Sequence, residues 1–237
     1  NLVDYLAAVP DKKITEAQLI LLAVPVKAFA KVISQIRPHL SSDAVLTDAG
    51  SVKSPLLNTM CSPENAAIRF VGGHPITGSE NFGPSASQDN LFAGKHFILT
   101  PSKNTDRNVL RTVRELWESL GAEVSEMDAE AHDQMFASVS HLPHLLAYAS
   151  IHAITNSDKP DALGQSGAGL KDFSRIASSS PEMWADIFLE NQENLLPRMN
   201  TFKDAMTDLE DAIMRNDKEK LIELLTLAKT ERDRWMT

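Results

Sequence analysis

The sequence predicts an α/β fold that gives way to an all-helical one. Over residues 1–127, short apolar runs of strand length alternate with stretches of helical periodicity. That is the pattern of an open parallel sheet covered by helices. After Met127 the strand signals vanish, and helical spacing continues over residues 128–237. With 43% apolar residues in a chain of 237, there is enough material to bury a core in one or two domains.

The elements follow in order. Gln18–Pro25 is a continuous apolar run, as expected of a strand buried on both faces. Lys27–Leu40 places Phe29, Val32, Ile33 and Ile36 at helical spacing. Ala44–Asp48, Ala67–Val71 and His96–Thr100 read as three further strands. Asp106–Leu120 carries a stripe of Val109, Leu110, Val113, Leu116 and Trp117, with Gly121 as its C-cap. Glu123–Glu126 is a short last strand. Asp128 caps a long helix through Met135, Phe136 and Val139. Pro143 is expected to kink it, because proline removes a backbone donor and clashes with the preceding turn. Helices are then expected over Leu170–Ala177, Pro181–Met199, Phe202–Met214 and Lys218–Trp235.

Composition excludes several classes. A net charge of −9 gives no electrostatic footprint for nucleic acid. The single cysteine, Cys61, leaves no intramolecular disulfide framework and fits a reducing cytoplasm. No apolar run reaches the roughly 18 residues of a membrane span, and no signal peptide is visible. No nucleic-acid or membrane partner is therefore expected.

The most informative stretch is Phe70–Glu80. It holds His74 between a Gly-Gly pair and a proline, with Thr77, Ser79 and Glu80 close behind. This reads as a rigid turn at a strand end. A histidine there suits proton transfer near neutral pH, since its unperturbed pKa is about 6.5. The bland alternative is a turn histidine bonded to backbone. One expected feature is missing: no glycine forms a Gly-x-Gly-x-x-Gly turn of the kind that holds a dinucleotide pyrophosphate. A first β-α-β unit of about 30 or more residues is expected to precede Asn1.

Five segments together resemble the prephenate dehydrogenases and their arogenate-using relatives in tyrosine biosynthesis. They are Leu22–Pro25, Thr47–Lys53, Gly72–Glu80, Ser140–His144 and Gly169–Arg175, and the likeness runs over nearly the whole chain. It implies an N-terminally incomplete Rossmann-type domain over residues 1–127, with a doubly wound parallel sheet. A helical substrate-binding and dimerisation domain follows over 128–237. The implied activity is oxidative decarboxylation of prephenate, or alternatively arogenate, with hydride transfer to NAD or NADP. The implied assembly is a cytoplasmic homodimer.

The resemblance also implies roles, each with a structural alternative. His74 is the catalytic base and must be neutral to act, so activity is expected to fall at acid pH. Ser51 orients His74 or the substrate hydroxyl near the nicotinamide; alternatively it is a helix N-cap. Ala23, Val24, Pro25, Asp48, Gly50 and Ser51 are expected at the cofactor. Ser79 contacts substrate and Glu80 joins a gate with Arg175; otherwise Glu80 is a solvated loop carboxylate. His141 and His144 share a helical face. A metal pair would need a third ligand at a supporting spacing, and none is present, so no metal is expected. The resemblance instead puts both, with Ser140 and Asp133 beside them, along the substrate pocket. Lys171 and Arg175 also share a face, and arginine's planar fork suits a carboxylate. Arg175 anchors substrate and Asp172 helps position it, the alternative being a solvated charge face. Trp184 lies near the active site or is a core aromatic. Stripes at Phe202, Met206, Leu209, Ile213 and at Leu221, Leu224, Leu225, Ala228 read as helix packing, and by resemblance as dimer interface. Two other functions remain open on the sequence: a β-hydroxyacid dehydrogenase using Lys171 as its acid/base group, and a non-catalytic dimer that binds a metabolite.

Overall fold

The computed structural model of the chain describes residues 5, 10–78, 86–156 and 162–236. Among these, five strands form one sheet in the order β1 (Leu19–Leu22), β2 (Val45–Asp48), β3 (Arg69–Pro75), β4 (His96–Thr100), β5 (Glu123–Glu126). β1, β2 and β3 run parallel, and β4 and β5 run parallel. The β3–β4 pair is antiparallel, with His74 opposite Ile98. The sheet is parallel-dominated, as expected, with this one antiparallel pair, and among the described residues between β3 and β4 no α-helix crosses over. The chain returns from the end of β3 and re-enters the sheet beside it, so β4 runs the other way.

Period-two alternation divides the sheet into two faces. Leu46 and Phe70 join Phe29, Ile33 and Ile36 of α1 (Phe29–Ile36) and Leu56 and Met60 of α2 (Ser54–Met60) in one core. Val45, Val71, Phe97 and Leu99 join Val109, Val113 and Trp117 of α3 (Arg107–Ser119) in the other. Trp117 is stacked on Phe97 with centroids 4.0 Å apart. Asp106 caps α3 by accepting from Asn108 N, and Gly121, at φ 84°, ends it in the left-handed conformation that glycine adopts without penalty. β1 departs from the expectation of burial on both faces. Leu21 is 43% exposed, because β1 is a sheet edge among the described residues.

α2 is an element that periodicity did not reveal. It begins at Ser54, not at a cap on Ser51: the backbone N–H groups of Lys53 and Ser54 both donate to the Asp133 carboxylate, each at 2.8 Å. The Ser51 N-cap reading is therefore replaced by a cap supplied from far along the chain.

Asp128 caps α4 (Ala129–Phe136) through Glu130 N and Ala131 N, as expected. The disturbance near Pro143 is a π-helical turn, Ala137–His141, ahead of α5 (Leu142–Thr155). Proline has no N–H to donate, so it fits the first turn of a new helix and not the interior of an old one. α6 (Ala168–Ser174) and a 3-10 turn, Arg175–Ser178, follow. The helix expected over Pro181–Met199 is broken. α7 (Pro181–Glu190) stops at Asn191, and α8 (Gln192–Met214) runs on through Pro197, absorbing the separate helix expected at Phe202. Asn191 leaves helical geometry (φ −113°, ψ 24°) with its side chain buried and bonded to Asp133 O. α9 (Lys218–Met236) is last.

By contacts the chain forms two compact units, Asn1–Gln192 and Glu193–Thr237. In the second, Ala212 is buried, while Met206, Ile213, Ile222, Leu225 and Leu227 are exposed along α8 and α9. Among the described residues no helix is long and apolar enough to cross a membrane.

Candidate active site

β2 and β3 run parallel, so their carboxyl ends lie on one edge of the sheet, where open α/β sheets receive ligands. A cleft of about 400 Å³ opens there within the first unit. Ala49 and Ser51 from the turn after β2, and His74 to Gly78 from the end of β3, form one side. Phe136, Ser140 and His144 come from α4 to α5, Arg175 and Ile176 from the 3-10 turn, and Met183, Trp184 and Ile187 from α7. Its size is that of a small-molecule site, apolar with a few convergent polar groups.

His74 belongs to strand β3, not to a free turn, and it is buried. Its Nδ1 lies 2.8 Å from Nε2 of His132, whose Nδ1 lies 2.8 Å from Oδ1 of Asp133. Both partners are almost wholly inaccessible, and neither lines the cleft. Phe136 stacks on the His132 ring at 4.4 Å and packs against His74 at 4.9 Å. Burial holds the His74 pKa well below the ordinary histidine value, and the neighbouring His132 and Lys53 push it the same way. His132 is also lowered by burial, although Asp133 opposes that shift.

A second buried cluster fixes the strand that carries His74. Asp48 accepts from Gly50 N at 2.7 Å, Gly73 N at 3.0 Å and the Lys53 ammonium. Lys53 also donates to Gly73 O at 2.7 Å. Burial lowers the Lys53 pKa, and pairing with Asp48 works against that. The Asp48 carboxylate, expected at the cofactor, is fully buried and bonded to these internal donors. Gly50 is likewise buried, and a Cβ there would press to 2.6 Å of the Phe29 ring.

His144 stacks on Trp184 with centroids 3.6 Å apart. Its Nδ1 donates to Ser140 O at 2.9 Å, which turns Nε2 outward as an acceptor. Burial lowers its pKa; the Ser140 bond opposes, and Arg175 adds to the lowering. Trp184 serves both readings at once. It is buried in the cluster of Val52 and Ile187, yet it borders the cleft, and its Nε1 has no partner among the described residues. His141, expected along the pocket, lies behind it. The helical face it was assigned ends at the π turn, which rotates it inward to Asn191, 3.0 Å from Nδ1. Burial brings its pKa to about 4.

Lys171 and Asp172 are exposed on α6 and do not border the cleft, whereas Arg175 does. Ala23, Val24 and Pro25 follow β1 at the same sheet edge but stand outside this cleft. Ser79 and Glu80 lie outside the described residues. Among the described residues no group of three or more His, Cys, Asp or Glu is placed to hold a metal. His132, Lys53 and Asn191 escaped the sequence reading. The His132–Asp133 dipeptide was a usable signal, a donor beside an acceptor, but its aim at His74 depends on packing.

Ala49 and Ser51 border the cleft together with His74. The pyrophosphate half has no glycine-rich turn among these residues.

Residues 2–126 match the family model for the prephenate dehydrogenase nucleotide-binding domain, and residues 128–227 match its dimerization domain. A cyclohexadienyl dehydrogenase from Zymomonas mobilis is 35% identical over 94% of this chain and 77% of its own length. A prephenate dehydrogenase from Bacillus subtilis is 30% identical over 93% of this chain, which spans 60% of that relative's length. The crystal structure of prephenate dehydrogenase from Aquifex aeolicus with hydroxyphenyl propionate and NAD+ is 41% identical, with TM-score 0.84, over 92% of this chain and 76% of that one. The chain thus belongs to the prephenate dehydrogenase family of NAD(P)-dependent oxidoreductases.

Proposed function

We propose that this chain carries out the oxidative decarboxylation of prephenate to 4-hydroxyphenylpyruvate and CO2 in tyrosine biosynthesis. The observation that carries this is His74: an imidazole at the sheet edge of a prephenate dehydrogenase fold, whose burial holds its pKa well below the ordinary histidine value, opening on a cleft of small-molecule size. Bound NAD(P) supplies the hydride acceptor. His74 takes the proton of the substrate's ring hydroxyl as hydride leaves that carbon. The ring carboxylate departs as CO2, and the proton returns to the phenolate oxygen, so no net proton is consumed. Ser51 orients the hydroxyl, and Arg175 binds a substrate carboxylate with its planar fork. His144 and Trp184 form the wall facing the rest of the substrate.

Arogenate is the second reading, favoured by the cyclohexadienyl dehydrogenase name of the Zymomonas relative. The apolar residues exposed on α8 and α9 fit a homodimer, and the exposed thiol of Cys61 fits a reducing cytoplasm.

The test is nicotinamide reduction by the purified protein with prephenate and arogenate, each with NAD and NADP, alongside His74→Asn. Turnover is expected to fall by about 10²–10⁴-fold in the variant, with unchanged circular dichroism. No turnover with either substrate, from protein of verified mass, would sink the proposal.

A further inference from the structure

His74 can act as a base only if the nitrogen facing the cleft carries a lone pair. A neutral imidazole has one N–H and one acceptor nitrogen, and which is which depends on its bonding partners. Here the partners determine the answer in sequence. The Asp133 carboxylate can only accept, so His132 Nδ1, 2.8 Å away, carries a hydrogen. His132 is fully buried, and burial disfavours a second proton, so its Nε2 is left as an acceptor. The atom it faces at 2.8 Å, His74 Nδ1, must then be the donor. The opposite tautomer would set two lone pairs against each other inside the protein.

We infer that His132 and Asp133 are positioning residues that lock His74 in its Nδ1–H form and leave Nε2 as the base. The inference rests on the proposed role of His74. When Nε2 receives the substrate's hydroxyl proton, the imidazolium keeps its Nδ1–H bond to His132. Its charge faces the Asp133 carboxylate through that one ring. The proton then leaves from Nε2 to the phenolate, and His132 and Asp133 end as they began.

Asp133 is itself held by the rest of the site. It accepts from Lys53 N and Ser54 N, the first donors of α2, three residues or fewer beyond Ser51. Asn191 holds its backbone carbonyl at 2.8 Å. The orientation of the base is thereby tied to the turn that carries Ser51.

The test uses histidine-labelled protein and nitrogen-15 NMR of the imidazole rings near neutral pH, without substrate. His74 is expected as the Nδ1–H form in the wild type. In His132→Phe, which keeps a ring but has no acceptor, His74 is expected to lose that preference. There kcat should fall by about 10²-fold or more with KM within about threefold, as wrong-tautomer effects in other relays suggest. His132→Gln, whose amide oxygen can accept from Nδ1, should recover part of the loss. An Nε2–H form of His74 in the wild type overturns the inference even if the enzyme turns over. So does His132→Phe with kcat within about threefold of wild type. A wild type showing the Nδ1–H form but no turnover would instead overturn the functional assignment, since the NMR readout needs no reaction.

Discussion

His74 is an example of burial tuning a single residue. A histidine in water is half protonated near pH 6.5 and so partly useless as a base at mildly acidic pH. Burial disfavours the charged form, and the neighbouring His132 and Lys53 disfavour it further, so the folded pKa lies below 6.5. The base form therefore persists as pH falls through 6.5 and is lost only lower down. We predict that the acid limb of kcat/KM has its midpoint below pH 6.5. It will describe the coupled His74–His132 pair and not one ring alone. A midpoint at or above 6.5 in a pH–rate profile would mean that His74 is not held in this environment.

At the scale of elements, the geometry of strand β3 rests on one glycine and one ion pair. A Cβ on Gly73 would approach the Asp48 backbone oxygen to 2.8 Å, so glycine alone permits this closeness of β2 and β3. There Asp48 accepts from Gly73 N and Lys53 donates to Gly73 O, directly before His74. Both charges are buried, with side chains 0% and 1% exposed. Removing one partner of such a pair leaves the other uncompensated in a poor solvent for charge, which costs about 3–5 kcal/mol. We predict that Lys53→Met lowers stability by about that amount in urea unfolding, with the midpoint reduced and the slope unchanged. A loss under about 1 kcal/mol would show that the Asp48–Lys53 pair is not held in a buried environment.

Across the whole molecule, the same four histidines link stability to pH. His74, His132, His141 and His144 all have folded pKa values below the unfolded value of 6.5. Below pH 6.5 the unfolded chain binds protons that the folded chain refuses, so stability falls as pH falls. For His141 the loss continues to about pH 4, its folded pKa. Each histidine can contribute up to about 1.4 kcal/mol per pH unit within its window. Thermal unfolding midpoints measured from pH 7 down to 4.5 should decline throughout and decline less steeply in His141→Asn. An unchanged midpoint over that range would contradict the burial of these rings.

The sequence by itself determined the strand–helix alternation and the caps at Gly121 and Asp128, and it singled out His74, Arg175 and Trp184, which the fold places around one cleft. The elements and caps are legible because they depend on local chemistry, side-chain periodicity and a carboxylate that can reach the next N–H groups, whereas the three site residues were singled out by family resemblance. Tertiary structure alone decided the rest. The antiparallel turn into β4, the cap that Asp133 lends to α2, the inward rotation of His141 and the burial of Asp48 each join residues far apart in the chain. The His74–His132 bond spans 58 positions and the Lys53–Asp133 bond 80. Hydrogen bonds inside a protein act over about 3 Å, so their partners are set by which elements pack together and not by spacing along the sequence.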